Sequence, residues 1–444
     1  MPAPMPWKVT GNPMHSPRSF CLFEVQSPRS FRIPSRLMRS APTDSLRSEL
    51  RSLPRAYWVL VGGWFVNRFG TFVVPFLTLF LTSRGHPPTS VALVLSMNGL
   101  GQFSASLLGG YFSDRFGRRH TIVIGTFANA AAIFSLYFAH EIGAIAGFMF
   151  LAGFAGGFYM PASNALLADL VPEPLRLRAY SLQRVAINAG FACGSAAAGF
   201  LIGWSIFALF AGDAITTAAF GVIALTMLPH GLRVAKKEAS WSQAWVVLRR
   251  DGAFWALCAS TILTSFVFQQ FGSTFSLEVK QRNLTLDLLG WHLGPEMVFG
   301  MILAWNGTLV ATCELPLTRW TQRFESRNVI TLGYLLLGGG FAINALHGGV
   351  GMFFGAMTVF TIGEMLSQPM RSAYVAALAP ETMRGRYMGA LAMAATSANI
   401  FGPHVSLPFH ARSPAGLWLT CGALGVLAAV VLACFGRKAR GDSR

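Results

Sequence analysis

Charged side chains are scarce in this sequence. Asp, Glu, Lys and Arg make up 12% of its 444 residues, whereas a soluble globular chain carries about 25%. Hydrophobic residues make up 53%, and apolar stretches of about 20 residues, each long enough to cross a bilayer, recur along nearly the whole chain. This shortage of charge excludes a set of ordinary soluble domains and predicts an all-α integral membrane protein.

Cysteine is also sparse, and the sequence gathers no catalytic cluster. The six cysteines are scattered without metal-ligand or disulfide spacing. No Gly-x-x-x-x-Gly-Lys-Ser/Thr sequence occurs, which excludes a built-in ATP-driven motor. The nine histidines are dispersed, which argues against a membrane enzyme such as an acyl or glycosyl transferase. We therefore predict no enzymatic activity, no cofactor and no metal site.

The chain is strongly basic, with a net charge of +17. Its cations lie in short loops between apolar stretches rather than on a base-reading element, which argues against nucleic acid as a partner. With the N-terminus inside, 28 of the 35 Lys and Arg residues lie on the inner side, 4 in outer loops and 3 within the membrane. This split predicts a multi-pass protein of the plasma membrane with both termini in the cytoplasm.

Twelve apolar segments and three polar stretches divide the chain. The segments span approximately 56–82, 89–111, 121–139, 142–164, 180–204, 206–228, 253–278, 294–317, 328–346, 349–374, 385–409 and 414–436. We predict a disordered basic cytoplasmic tail over 1–55, a six-helix bundle over 56–228, a cytoplasmic linker over 229–252, a second six-helix bundle over 253–436 and a cytoplasmic tail over 437–444.

The two predicted bundles are related by an internal repeat. A shift of 208 residues carries Pro161 onto Pro369 and Arg176 onto Arg384, and it aligns three separate regions without a gap. One offset shared by separate regions is hard to obtain by chance. Paired halves around a site near the bilayer midplane are typical of secondary transporters.

The loop between the second and third segments reads GGYFSDRFGRRH over residues 109–120. It matches Gly-x-x-x-Asp-Arg-x-Gly-Arg-Arg/Lys, the sequence that the major facilitator superfamily carries at this place. With twelve helices as six plus six, the chain resembles that family, and in particular its bacterial 12-helix drug:proton antiporters. A degraded second copy, RWTQRFESR at 319–327, has Gln322 in place of the acid.

In that family the loop is a cytoplasmic latch, in which Asp and Arg side chains bridge the two halves and hold one access state. Glycine at the turn permits a backbone conformation that other residues avoid. The resemblance assigns this gating motif to Gly110, Asp114, Arg115, Gly117, Arg118, Arg119, Arg323 and Arg327.

Polar residues inside the apolar segments mark the predicted substrate and proton pathway. A charge at mid-bilayer costs on the order of 2.5–3.5 kcal/mol, so it is functional by default. The resemblance implies that the first, fourth, seventh and tenth segments line a central cavity. The pathway candidates are Asn67, Arg68, Tyr159, Asp213, Gln269, Gln270, Glu364 and Arg371.

Glu364 is the predicted proton-titrating group, because burial favours its neutral form and a nearby arginine favours its charged form. Arg68 would then be its counter-ion, or the anchor for an anionic substrate group. The alternative is that Glu364 pairs with Arg371, seven residues on and on the same helix face, as a structural bridge.

The fifth segment carries small residues and one cation. Gly190 and Gly194, four residues apart, make a flat face for close helix packing. The resemblance places this face between the two halves, and static packing accounts for the spacing equally well. Arg184 is predicted to snorkel to the interface or to pair with Asp114 or Asp169.

These observations predict a monomeric secondary transporter that works by alternating access. Its partners would be the lipid bilayer, a small-molecule substrate and protons, and its function would be the proton-coupled export of small amphipathic molecules. The alternative is a proton-coupled importer of a small anionic metabolite. Arg68 supports that alternative, because a cation stands where exporters of cations usually carry acids.

Overall fold

The structure is a computed structural model that describes residues 53–230, 247–288, 290–380 and 383–436. Side chains at 107, 109–115, 174, 177 and 384 are outside the description. The predicted tails and most of the predicted linker lie outside the described residues, so those boundaries stay predictions.

The described chain is almost entirely helical. Its α-helices are α1 Arg55–Phe69, α2 Val73–Ser83, α3 Pro88–Phe116, α4 Arg118–Phe138, α5 Ile142–Leu170, α6 Arg176–Trp204, α7 Ile206–Met227, α8 Gly252–Gln269, α9 Phe275–Gln281, α10 Pro295–Thr321, α11 Ser326–Ala342, α12 Val350–Leu378, α13 Arg384–Arg412 and α14 Pro414–Phe435. A short antiparallel hairpin, β1 Leu286–Leu288 and β2 Trp291–Leu293, joins α9 to α10.

Ten spans in the described part of the chain are long and apolar enough to cross a membrane, with α1 and α2 together forming the first. Two further helices, α3 and α13, are 29 residues long and contact each other. Large apolar side chains cover the outer surface, among them Trp204 at 82% exposure and Phe401 at 68%. A surface of this kind suits lipid, and the architecture is consistent with the twelve predicted segments.

The internal repeat is visible in the bounds of the helices. Three pairs of helices differ by 208 residues at both ends, namely α5 with α12, α6 with α13 and α7 with α14. Pro161 and Pro369, which the shift superposes, both lie inside their helices, α5 and α12. The pseudo-repeat predicted from the sequence is therefore confirmed at the level of secondary structure.

The two halves of the molecule meet mainly along two helix pairs. We call residues 53–230 the N-terminal half and residues 247–436 the C-terminal half. The pairs are α3 with α13 and α6 with α10. The 208-residue shift relates α3 to α10 and α6 to α13, so the two pairs are equivalent. A Cβ on Gly99 would lie 2.8 Å from the backbone carbonyl of Asn399, and one on Gly307 would lie 2.9 Å from the carbonyl oxygen of Asn188. Gly99 and Gly307 are 208 residues apart, so equivalent glycines permit close packing in both pairs.

Gly190 and Gly194 do not lie at this interface between the halves. A Cβ on Gly190 would lie 2.6 Å from the carbonyl oxygen of Phe65, and one on Gly194 would lie 2.0 Å from that of Phe69. Both neighbours belong to α1 in the same half. The predicted flat face is real, but it serves packing within the N-terminal half, and α6 meets the C-terminal half along another side.

Two of the predicted segments are interrupted helices. The first breaks between Phe69 and Val73, and the seventh breaks between Gln269 and Phe275. At the second break, Thr274 Oγ1 donates to Gln270 Oε1 at 2.9 Å. Side chains that bond locally in this way compete with continuous helix. The cause of the first break lies on another helix, and it forms part of the candidate site.

Aromatic side chains join the halves at one end of the molecule. We call the end where the described chain begins and finishes the near end, and the opposite end the far end. At the far end, the rings of Phe76 and Phe299 cross between the halves with centroids 5.1 Å apart. Phe275 also packs on Phe299, at 6.1 Å. The far end is therefore closed by apolar contact, which such ring pairs stabilise beyond their buried area.

Candidate functional site

Asp213 on α7 holds the break between α1 and α2. Its Oδ2 accepts the backbone N–H groups of Phe72 at 3.1 Å and Val73 at 3.0 Å. These N–H groups lie at the start of α2, where the helix itself offers them no acceptor. Asp213 is 5% exposed, so its carboxylate serves as a buried cap for α2 that comes from a distant helix.

A chain of hydrogen bonds ends on this carboxylate. Tyr159 Oη donates to Asn67 Oδ1 at 3.2 Å, Asn67 Nδ2 donates to Thr217 Oγ1 at 3.2 Å, and Thr217 Oγ1 lies 3.5 Å from Asp213 Oδ1. Each donor points toward Asp213, which is the order that an ionised acceptor at the end requires. The structure thus brings together three of the predicted pathway residues and adds Thr217.

Arg68 lies next to this chain and has no carboxylate partner in the described part of the molecule. Its Nη2 is 3.3 Å from Met160 Sδ, and its guanidinium carbon is 5.5 Å from the Trp64 ring centroid. The side chain is half-buried, and its Nε is buried without a hydrogen-bond partner. A cation held by a thioether and an aromatic face retains unused donors for an anionic group.

Glu364 lies on α12, and its described hydrogen-bond partners are neutral amides. Its Oε2 accepts from Asn306 Nδ2 at 3.1 Å, and its Oε1 accepts from Gln368 Nε2 at 3.2 Å. Asn306 also donates to Thr361 Oγ1 at 2.9 Å. The residue is 9% exposed. The bridge to Arg371 considered from the sequence is absent among the described residues, and so is an ion pair with Arg68.

The sequence interpretation missed Glu314, which forms an ion pair between the halves. Arg184 Nη2 on α6 donates to Glu314 Oε2 on α10 at 2.8 Å. The expected partner Asp169 instead pairs with Arg118. Glu314 lies within an apolar segment, so the rule that singled out Glu364 applied to it as well. Asn306 and Glu314 share α10, and this helix therefore contacts both Glu364 and the N-terminal half.

The remaining pathway candidates lie apart from these groups. Gln270 is buried, and its amide donates to the backbone carbonyl of Phe266 at 2.8 Å. Gln269 faces α13, where a Cβ on Gly402 would lie 3.2 Å from its Oε1. Arg371 is half-buried beside a polar cavity of the C-terminal half.

The gating motif is described only in part. Gly117 has φ +81°, which confirms the need for glycine at this turn. Arg118 pairs with Asp169, and Arg119 Nη1 donates to the carbonyl of Leu228 at 3.3 Å. In the second copy, Arg327 Nη1 donates to the carbonyl of Gly436 at 3.1 Å. Each of these contacts lies within one half, and Arg323 lies between α10 and α11.

The side chains of Asp114 and Arg115 lie outside the described residues, as does the surrounding of Gly110. The bridge between the halves that the resemblance assigns to this loop therefore stays a prediction.

Comparison with known proteins gives one consistent result. The model of the Major Facilitator Superfamily matches residues 59–305 and 283–444. A Na(+), Li(+), K(+)/H(+) antiporter of Planococcus maritimus is 28% identical over 384 residues, which cover 79% of this chain and 88% of the relative. The multidrug resistance protein MdtH of Citrobacter koseri is 25% identical over 345 residues, which cover 77% and 83%.

Solved structures share the fold at low identity. A point mutant of the nucleoside transporter NupG superposes with a TM-score of 0.72 and 15% identity, covering 86% of this chain and 100% of its own. A POT family transporter in complex with 5-aminolevulinic acid superposes with a TM-score of 0.70 and 17% identity, covering 86% and 95%. The relatives are transporters and not enzymes. The chain is a multi-pass membrane transporter, and it belongs to the Major Facilitator Superfamily.

Proposed function

We propose that the protein exports small amphipathic molecules in exchange for protons, by alternating access, with Glu364 as the proton carrier. The observation that carries this proposal is the pair of neutral amides on the Glu364 carboxyl, Asn306 and Gln368. A carboxyl held only by amides can take up a proton without breaking an ion pair. Two of the relatives are named as an antiporter and a multidrug resistance protein, which supports the same direction.

Coupling to the change of access would pass through α10. Asn306 on this helix binds Glu364, and Glu314 on the same helix binds Arg184 of the other half. Protonation of Glu364 weakens its hydrogen bond to Asn306, because a neutral oxygen is a poorer acceptor than a charged one. A shift of α10 then changes the contact between the halves, where α10 packs on α6 and Glu314 pairs with Arg184.

The topology predicted from the cations belongs to the same proposal. Both termini would be cytoplasmic in the plasma membrane, so the near end faces the cytoplasm and the closed far end faces outside. The gating motif would help to hold the near end shut. The transporter would act as a monomer, because each half supplies one side of the pathway.

Flux in inside-out vesicles tests this function. A pH gradient is imposed, and its collapse is recorded as lipophilic drugs, organic anions and Na⁺ or K⁺ salts are added one at a time. We expect at least one compound to collapse the gradient with the parent protein, and this response to fall at least tenfold in Glu364→Gln. Glu296→Gln is the matched control, because Glu296 is a far-end acid paired with Lys280.

Normal coupling in Glu364→Gln would contradict the role of Glu364. If each added compound collapses the pH gradient equally in vesicles with and without the protein, antiport itself is contradicted.

The second candidate function is proton-coupled import of a small organic anion. The environment of Arg68 favours it, since this half-buried cation has no carboxylate partner among the described residues and retains free donors. Right-side-out vesicles separate the two functions by the direction of flux. Uptake of an organic anion that is driven by an inward proton gradient and lost in Arg68→Gln would establish import.

A further inference from the structure

A second polar site lies inside the C-terminal half, away from Arg68. A cavity of about 200 Å³ opens among α8, α11, α12 and α13. Its polar walls come from all four helices, with Thr264, Tyr334, Gln368, Arg371, Thr396 and Asn399 among the lining residues. Phe268 and Leu337 line it as well. The cavity therefore offers hydrogen-bonding groups beside an apolar surface, which is typical of small-molecule sites.

Arg371 supplies a fixed positive charge to this cavity. It lies on α12, seven residues after Glu364, and no carboxylate among the described residues comes within ion-pair distance of it. The side chain is half-buried inside a membrane-spanning helix. A cation in such a place is costly unless it is paired. Its guanidinium therefore retains donors that a planar acid group can accept in two parallel bonds.

Tyr334 provides a second, independent observation. This residue of α11 is fully buried at 0% exposure, yet its hydroxyl has no hydrogen-bond partner. Buried tyrosine hydroxyls usually find one, because an unsatisfied donor costs free energy. Tyr334 lines the cavity, and its occluded hydroxyl would reach a ligand there after a small movement of the wall.

Two threonine hydroxyls of the wall can act only as acceptors toward a ligand. Thr264 Oγ1 donates to the carbonyl of Ser260 at 2.9 Å, and Thr396 Oγ1 donates to the carbonyl of Ala392 at 2.9 Å. Each hydroxyl donates its only proton within its own helix, so any further hydrogen bond it makes must be one that it accepts. A ligand that fits this wall carries an acid group and, elsewhere, a hydroxyl or N–H donor.

We infer that this cavity binds a small organic acid whose acid group is held by Arg371 and the hydroxyl of Tyr334, with an aromatic or aliphatic body against Phe268 and Leu337. The site lies inside the C-terminal half at one of the predicted pathway residues, and the inference names the ligand class that this part of the molecule would bind. It rests on the proposed function only for its position on the route of transport. Gln368, which lines the cavity and also donates to Glu364, connects the ligand to the proton carrier.

Equilibrium binding of radiolabelled 4-hydroxybenzoate to the purified protein in nanodiscs tests the site. This probe has a planar acid, a ring and a hydroxyl donor, and 4-hydroxybenzamide is its uncharged isostere. We expect the amide to compete at least tenfold more weakly than the acid. Arg371→Gln should lose at least tenfold in affinity, Arg371→Lys should lose less, and Tyr334→Phe should lose about three- to tenfold.

Arg319→Gln is the matched control, because this exposed arginine of α10 lies outside the cavity. The variant should bind 4-hydroxybenzoate with the affinity of the parent. Equal affinity for acid and amide, parental affinity in Arg371→Gln, or no binding of either probe would each overturn the inference. The melting temperature of each variant shows whether it is folded, and Arg371→Lys keeps the charge if Arg371→Gln fails to fold.

The experiment is independent of proton coupling, since no gradient is present. Failure of the proposed function would therefore appear in the vesicles alone, and failure of this site would appear in the nanodiscs.

Discussion

At the scale of residues, the partners of a buried carboxyl decide what it can do. Asp213 accepts from two backbone N–H groups at the start of α2, and those groups cannot turn away without unwinding the helix. Glu364 accepts from two side-chain amides, which can rotate. We therefore expect Asp213 to stay charged as a structural cap and Glu364 to exchange protons. Both residues look alike in the sequence, where each is a lone acid in an apolar segment.

Removal of the Asp213 carboxylate should destabilise the N-terminal half. In Asp213→Ala two buried N–H groups lose a charged acceptor, which costs about 1.5–3 kcal/mol for each hydrogen bond. Asp213→Asn keeps an acceptor oxygen and should cost less. Thermal unfolding of the purified variants measures the difference. Equal melting temperatures for Asp213→Ala and the parent would show that α2 needs no cap.

Proton coupling supplies a control for the same residue. If Asp213 is only structural, Asp213→Asn should keep substrate-dependent collapse of the pH gradient within about twofold of the parent, since a stability cost of roughly 1 kcal/mol leaves most molecules folded. If a well-folded Asp213→Asn protein loses coupling, Asp213 takes part in proton transfer.

At the scale of elements, the interrupted α1–α2 unit depends on a close approach by α6. The backbone at Phe69, where α1 ends, is so close to Gly194 that any side chain there would collide with its carbonyl oxygen. The same contact orients Asn67 and Arg68 from the last turn of α1 into the candidate site. Gly194 has no side chain that could bind a substrate or a proton, yet its packing against α1 controls the geometry of the pathway.

A methyl group at Gly194 should disturb this contact. The added Cβ would lie 2.0 Å from the carbonyl oxygen of Phe69, so the helices must separate, at a cost of about 1–3 kcal/mol. Gly203→Ala is the control on the same helix, because its Cβ would meet only Met297 Cε at 3.8 Å. Melting temperatures should fall in Gly194→Ala and remain unchanged in Gly203→Ala. A similar fall in both variants would point to α6 as a whole rather than to the contact with α1.

At the scale of the whole molecule, the halves are held differently at their two ends. Phe76 and Phe299 join them at the far end, while the ion pair of Arg184 with Glu314 joins α6 to α10 nearer the other end. Apolar contact does not depend on protonation, whereas an ion pair does. We therefore expect the near end to be the one that responds to protons, with Arg184 and Glu314 as a gate between the halves.

Arg184→Gln and Glu314→Gln should each shift the molecule toward a near-end-open state. The pair is partly exposed, so its loss is worth up to ~1 kcal/mol, or about a fivefold change in population. Spin labels on the exposed residues Phe116 and Trp320, in a background without the native cysteines, report the distance between the halves. The exchanged pair Arg184→Glu with Glu314→Arg should restore the parental distribution, and a swapped protein as open as the single variants would contradict the gate.

The sequence predicted more of the fold than of the site. Apolar segments and the 208-residue repeat sufficed for the helices, because these depend on composition and spacing along the chain. The turn at Gly117 was predictable for the same reason. The Arg184 partner was not, because the sequence gives no distance between α6 and α10, and Glu314 lies 130 residues from its cation. The packing partner of Gly190 and Gly194 was misplaced, since a small-residue face does not name the helix that it meets.

By itself the sequence determined that this chain crosses a membrane many times in two repeated halves, because the cost of burying charge in lipid acts on each segment separately. Tertiary structure alone decided which polar groups meet. It placed Asp213 on the break in the first segment, amides on Glu364, and Arg371 and Tyr334 in the wall of one cavity. Hydrogen bonds and ion pairs act over a few ångströms, and only the packing of distant helices brings such groups within that range.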